Sequence, residues 1–303
     1  MIRRKSPRRY FRVSEGFFGY SLILPALIFV GLLKIYSTAW SLFLSFEEVE
    51  SVSPLVTKQV GAANWYEIFF KDALFMPVLK TTMYYSTVCV VVGLLLSLGI
   101  ALALNEQFRG QGALRVFLII PWAIPSVTNG YVWRWMLSAQ YGIINGVLYH
   151  LGLIREYVNW LGTVDTALNS LVFVQIWKDV PFMTLLLLAG LQTVPGELQD
   201  AARVDGANVW QSFRNVTLPW MKTTISFVMI IEFIETFKAF DVVYVMTRGG
   251  PFDTTLVFYM YVYRVSFSYI NFGYGSALAY TLAIIILCLS LVYVKILRTG
   301  ELF

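Results

Sequence analysis

Residues 78–104 read VLKTTMYYSTVCVVVGLLLSLGIALAL, with Lys80 the one charge in the run. A helix on the surface of a soluble core carries a polar face opposite its apolar stripe, and this run has none. It suits bilayer hydrocarbon, which a helix of roughly 20 apolar residues crosses while satisfying its backbone hydrogen bonds internally. Outward from it, comparable runs fall at 17–46, 116–137, 168–191, 223–247 and 273–295. They predict an all-α integral membrane protein with about six transmembrane helices. Composition agrees, since 14% of the 303 residues are charged, against roughly 25% in soluble domains. The first run is too long for a signal-peptide core, so 17–303 reads as a single transmembrane domain behind a basic N-terminus at 1–16.

Several function classes drop out by counting. A pI of 9.1 suits nucleic acid only if the basic residues form a stripe with interleaved aromatics on a soluble face, and they do not. Cys89 and Cys288 lie inside apolar runs without metal or redox spacing and read as small fillers. With His150 the only histidine, a zinc site built on several imidazoles is excluded, and no metal site is expected. No Gly-x-x-x-x-Gly-Lys-Ser/Thr cradle for ATP phosphates occurs. Lysine and arginine set the orientation. Arg3, Arg4, Lys5, Arg8, Arg9 and Arg12, with Arg109, Arg115, Arg203, Arg214, Lys222, Lys295 and Arg298, make thirteen on one side; Lys58, Lys71, Arg155, Arg248 and Arg264 make five on the other. The positive-inside rule then places both termini in the cytoplasm and makes 192–222 the longest internal cytoplasmic loop of a multi-pass cell-membrane protein. Trp65 with Tyr66, Tyr84 with Tyr85, and Tyr259, Tyr261 and Tyr263 read as interfacial aromatics.

That loop is longer than a connection requires. Pro195 suits a first helical turn, and Glu197 and Asp200 complement a helix N-terminus. Leu198, Ala201, Ala202 and Val204 form an apolar strip. Gly206 ends or bends this helix, and a second amphipathic stretch with Val209, Trp210, Phe213 and Val216 runs to a stop at Leu218-Pro219. Two short amphipathic helices on the cytoplasmic face fit either docking to a partner or lying on the membrane.

Asp200-Ala201-Ala202, Gly206 and Leu218-Pro219 resemble the EAA signature of the membrane subunits of bacterial and archaeal ATP-binding-cassette importers. The family usually has glutamate where this chain has Asp200, a carboxylate one methylene shorter. The resemblance implies a type I importer permease fold. It also implies a coupling helix seated in a cleft of the ATPase subunit and carried here by Asp200, Ala201, Ala202, Asp205 and Gly206. Two further blocks are similar to the carbohydrate-uptake branch, the maltose- and glycerol-phosphate-type permeases. One is Phe240-Asp241 followed by Tyr244, Thr247, Gly249-Gly250-Pro251, Thr254 and Thr255; the other is Pro121-Trp122, Pro125-Ser126 and Trp133. Trp177 and Pro181-Phe182 extend the resemblance over nearly the whole chain.

Charged groups inside membrane spans normally face a bundle interior or water, which singles out Lys178, Asp179, Glu232, Glu235, Lys238 and Asp241. Glu232, Glu235 and Thr236 share one helical face, offering acceptors and a hydroxyl to a lumen. Matching the maltose-type permeases motif by motif implies sugar contacts at Trp122, Ser126, Gln175, Lys178, Asp179, Phe182, Glu232, Glu235, Thr236 and Ala239. The competing account makes Lys178 a structural ion pair with Asp179 or Glu235. Lys34 and Lys80 read as snorkelling near span ends. Trp133 and Trp177 fit packing as well as sugar platforms. The family further implies a heterodimer with a second, homologous permease subunit and two cytoplasmic ATPases that carry ATP and Mg. An extracytoplasmic solute-binding protein would deliver a carbohydrate, with no cofactor in this chain and no nucleic acid. A di- or oligosaccharide is the expected solute, a glycerol-phosphate-type, polyol or sugar derivative the alternative. An intramembrane enzyme lacks a catalytic constellation, and a homo-oligomeric channel leaves the long loop without a purpose.

Overall fold

The computed structural model describes residues 15–52, 55–106 and 108–298; Arg3 to Arg12 of the basic N-terminus lie outside these. Helix α1 (Glu15–Val30), a π-turn at Gly31–Ile35 and α2 (Tyr36–Leu44) run together as one long apolar helix. A hairpin of β1 (Glu47–Val52) and β2 (Leu55–Gln59) follows, antiparallel with Glu47 opposite Gln59. Helices α3 (Ala63–Phe70), α4 (Phe75–Asn105), α5 (Gln111–Ala123), α6 (Ser126–Met136), α7 (Ile143–His150) and α8 (Val164–Leu191) come next. Then come α9 (Gly196–Val204), α10 (Val209–Ser212), a π-turn at Phe213–Thr217, α11 (Leu218–Trp220), α12 (Lys222–Phe237) and α13 (Asp241–Met246). The chain closes with α14 (Phe258–Tyr263), a π-turn at Arg264–Ser268 and α15 (Phe272–Arg298).

The expectation of a mostly helical membrane bundle holds, with several corrections. A hairpin of Glu47–Val52 with Leu55–Gln59 is set among the helices, its strands paired with each other and Glu47 O also accepting from Asn64 Nδ2 at 3.0 Å. Among the described residues, four helices are long and apolar enough to cross a membrane unbroken, at Gly19–Leu44, Phe75–Asn105, Val164–Leu191 and Phe272–Tyr293. The expected third span is two pieces, α5 and α6, meeting at 92°. Pro125 explains the corner, because its ring pushes the preceding residue out of the helical region, and Ile124 is extended at φ −72°, ψ 128°. The expected fifth span is likewise split into α12 and α13, with Phe240 off helical geometry at φ −136°. Lys34 lies within the first long helix rather than near its end. Pro219 does not stop the loop helix, which continues through α11 to Trp220.

Helices α4 and α8 form the central pair. Gly93 lies against Met183, Ser97 Oγ donates to Val180 O at 3.1 Å, and buried Cys89 faces Val172 O at 3.9 Å. Small residues let membrane helices approach closely where burial of apolar area cannot drive association. At one end of the bundle Asp72 ties three segments together. It accepts from Leu74 N at 2.8 Å and from the hydroxyls of Tyr261 and Tyr274 at 2.7 Å each. Burial, then the Asp72 carboxylate, push the Tyr261 phenol well above its ordinary pKa. Tyr261 is thus a packed hydrogen-bonding residue rather than an interfacial one. So is Tyr85, which is wholly buried. Asp72→Ala removes a charged acceptor from two hydroxyls and should cost about 2–4 kcal/mol. The expected signature is a lower melting midpoint in detergent, with Asp72→Asn intermediate; an unchanged midpoint for both would dismiss the tie.

The Thr-Gly-Gly-Pro block forms a stitched loop between α13 and α14. Thr247 and Thr255 hydroxyls meet at 2.8 Å, Thr255 Oγ1 donates to Gly250 O at 2.6 Å, and Thr254 Oγ1 to Pro251 O at 2.7 Å. Arg264 closes it by pairing with Asp253 at 2.6 Å and donating to Arg248 O at 3.1 Å.

Candidate functional site

The two interruptions in the helices have a common consequence. The α5–α6 corner and the α12–α13 break both open onto α8 and leave a cavity of about 420 Å³ between them. Nine of the ten expected contact residues line it: Trp122 and Ser126 from the corner; Gln175, Lys178, Asp179 and Phe182 from α8; Glu232 and Glu235 from α12; and Ala239 from the break. Thr236, the tenth, does not. It is fully buried, and its hydroxyl donates to Glu232 O at 2.8 Å and Phe233 O at 3.1 Å within its own helix. The face shared by Glu232, Glu235 and Thr236 is therefore split, because a helical turn carries Thr236 round into the protein.

Two of the cavity walls have a distinct chemistry. Trp122 and Phe182 stack with ring centroids 5.1 Å apart and planes within 8°, a flat apolar wall. Beside it, Gln175 is held at both ends of its amide, accepting from Tyr85 Oη at 3.0 Å and donating to Asp179. Asp179 also pairs with Lys178 at 3.7 Å, both side chains nearly buried. Glu235 pairs not with Lys178 but with Lys238, at 2.8 Å, on the exposed side of the cavity. Glu232 is buried and faces the cavity with no lysine or arginine within ion-pair distance among the described residues. Rings beside fixed acceptors and donors are what a hydroxylated ligand with apolar ring faces requires. Trp133, by contrast, is packing: it is buried edge-on against Phe173 and Trp177.

The second set of expected residues is well away from this cavity in sequence. Asp200, Ala201 and Ala202 lie on α9, and Asp205 and Gly206 in the turn that ends it. Gly206 adopts φ +79°, its N–H donates to Arg203 O at 3.1 Å, and Ala207 N–H reaches back to Ala202 O at 2.9 Å. This left-handed closure satisfies the carbonyls at the helix end. Asn208 then starts α10 with a capping box to Gln211, 2.9 Å in each direction. No residue of α9 is buried, and Val204, Val209 and Trp210 are 87%, 90% and 67% exposed.

The family described as the binding-protein-dependent transport system inner membrane component matches residues 93–295, two thirds of the chain. The chain belongs to this family. As an inner membrane component it is a multi-pass transport subunit and not an enzyme. Among its relatives, the sulfoquinovosyl glycerol transport system permease of Agrobacterium fabrum is 34% identical over 97% of this chain and 94% of its own length. The trehalose/maltose transport system permease of Thermococcus litoralis is 34% identical over 94% of this chain and 95% of its own. A solved bacterial alginate ABC transporter, in complex with an alginate-pentasaccharide-bound periplasmic protein, contains a chain of the same fold. It superposes with TM-score 0.80 at 22% identity, covering 95% of this chain and 96% of that one.

The inner membrane component also places residues in its cavity that the expected contacts omit. Lys238 and Asp241 stand out in the sequence as intramembrane charges, and both line the wall. Ile231, Phe240 and Val242 complete it without a sequence signal that separates them from packing residues. Tyr85, which orients Gln175 from behind, carries no signal beyond its ring. Among the described residues no group of three acidic, histidine or cysteine side chains is arranged to hold a metal.

Proposed function

We propose that this chain is one membrane half of an ATP-driven importer that passes a neutral di- or oligosaccharide through the central cavity by alternating access. One observation carries the reading: a stacked ring pair, a doubly held glutamine amide and buried carboxylates converge on one space. Its volume lies within the range of roughly 300–1,000 Å³ usual for small-molecule sites. Four carboxylates (Asp179, Glu232, Glu235, Asp241) face two lysines (Lys178, Lys238) there, and an excess of like charge disfavours an anionic solute. The names of the sugar-transporting relatives agree with a saccharide.

The partners follow from what the chain leaves open. Glu235 and Lys238 are 61% and 42% exposed along their side chains although they belong to an expected membrane span. Charges at such depth face protein or a water-filled path. A second, homologous permease subunit completes the cavity wall. Both termini are cytoplasmic, and α9 docks into one of two ATPase subunits, which hold ATP and Mg; this chain needs no cofactor. The solute-binding protein delivers sugar at the opposite face. The test is binding-protein-stimulated ATP hydrolysis and sugar uptake by the reconstituted complex. Among the described residues Asp200 pairs only with Arg203, at 3.2 Å on the surface, so Asp200→Lys leaves the fold intact and reverses a docking charge. It should lower stimulated hydrolysis about tenfold. Unchanged stimulation and assembly would remove α9 from the mechanism.

A further inference from the structure

A second polar cavity, of about 590 Å³, lies along the same α6–α13 helix pair as the central one. Tyr131, Arg134, Trp135, Tyr141, Asn159 and Thr247 are among its walls. The central cavity is lined by Ser126 and Val242 of these helices, the second by Arg134 and Met246. Ser126 and Arg134 are eight residues apart on α6, about 12 Å along a helix. The two spaces thus lie in line, and by the orientation proposed above the second faces outward.

What separates them is a close helix contact with an unusual residue in it. A Cβ on Gly130 would stand 3.1 Å from Val245 Cβ, so the helices nearly touch. Next to it Asn129 is 1% exposed, and neither its amide oxygen nor its amide nitrogen has a hydrogen-bond partner among the described residues. The indole N–H of Trp133, one turn on, is also without one. Buried polar groups nearly always find partners, and a fully unpaired amide is destabilising. Its position between two polar cavities gives it a use when α6 and α13 part.

The second cavity has the composition of a saccharide site. Trp135 and Tyr141 are 70% and 71% exposed, with ring faces free to cover a pyranose. Arg134 is anchored by one nitrogen, Nη1 donating to Val245 O at 2.9 Å. It has no carboxylate partner within ion-pair distance among the described residues. The rest of its fork can donate to adjacent hydroxyls.

We propose that this second cavity is a sugar subsite, occupied after release from the binding protein and emptied past Asn129 into the central cavity. The inference rests on the importer reading above and deepens it. A subsite that holds released sugar until the helices part affects how much sugar enters per ATP, not how the binding protein docks.

The experiment uses the complete complex in liposomes with its binding protein, and radiolabelled maltose and trehalose as probes. Trp135→Ala with Tyr141→Ala is expected to lower uptake about five- to tenfold through lost ring contacts. Binding-protein affinity and stimulated hydrolysis should stay within about twofold of wild type. Asn129→Leu removes an unpaired amide, so it should raise the melting midpoint while lowering uptake of the same probe. If binding-protein affinity falls as far as uptake, the cavity is a protein contact and the subsite is overturned. Unchanged uptake in both variants overturns it equally. If the wild-type complex takes up neither probe, the disaccharide reading itself fails and the subsite with it; uptake by wild type with unaffected variants sinks the subsite alone.

Discussion

Asp179→Ala is expected to yield a chain that does not assemble stably, whereas Lys178→Met with Asp179→Leu is expected to restore assembly without restoring uptake. The Lys178 and Asp179 side chains are each 13% exposed and 3.7 Å apart. Removing one member of such a pair strands the other charge, at a cost of about 3–5 kcal/mol. That is a large part of a typical total stability of about 5–15 kcal/mol. Gln175 loses its acceptor in the same step, leaving only Tyr85 to hold its amide. Replacing both charges by apolar groups of similar volume avoids the stranded ion and is often neutral or stabilising by about 1–4 kcal/mol. Transport behaves differently if the carboxylate accepts from sugar hydroxyls. Charged hydrogen bonds contribute about 1.5–3 kcal/mol each, so the double variant should take up sugar at least about tenfold more slowly, up to about a hundredfold. Thermal unfolding in detergent and uptake in liposomes, measured on the same preparations, separate the two roles. Recovery of both properties would make Lys178–Asp179 a structural pair and remove its carboxylate from the solute path.

Much of this arrangement was legible from residues alone, and the reasons for the exceptions are physical. Apolar runs mark the long helices because every backbone group in hydrocarbon must be satisfied within its own segment. The same rule hides the breaks. Runs 116–137 and 223–247 are long and mainly apolar despite the charges they carry, yet each is divided where backbone opens onto a polar cavity, and the length of the run does not mark the division. Pro125 announces the first break; Phe240 gives no comparable warning of the second. Intramembrane charge located Lys178, Asp179, Glu232 and Glu235, since so expensive a group is retained mainly where it faces a cavity. Thr236 misled because a hydroxyl one turn from a glutamate can bond its own helix just as well as a ligand. Tyr85 and Tyr261 misled for a related reason: a phenol suits a membrane interface and also a buried acceptor, and only the positions of Gln175 and Asp72 tell which. The hairpin at 47–59 shows no clean alternation in its sequence and emerges only from its pairing.

Gly206→Val is expected to reduce binding-protein-stimulated ATP hydrolysis by about thirtyfold while leaving the chain's melting midpoint unchanged. Gly206 holds φ +79°, a region that costs an L-residue about 1–2 kcal/mol and a β-branched one more. About 2 kcal/mol corresponds to roughly thirtyfold in an equilibrium. The strain is relieved by opening the turn, which breaks the bonds from Gly206 N to Arg203 O and from Ala207 N to Ala202 O. Those bonds set the angle between α9 and the capped start of α10. Because α9 buries no residue within this chain, the damage does not propagate into the bundle and is felt only by whatever α9 meets. Gly206→Asn should behave close to wild type, since asparagine tolerates the left-handed region. The comparison also decides between the two uses of an exposed amphipathic segment. A helix lying on lipid is held by Val204, Val209 and Trp210 through non-directional burial and tolerates a changed turn. A helix seated in a protein cleft does not, because a misdirected turn displaces every contact along it. Full stimulation in Gly206→Val would therefore assign 192–222 to the membrane surface, whereas selective loss with retained assembly places the turn geometry itself in the coupling step.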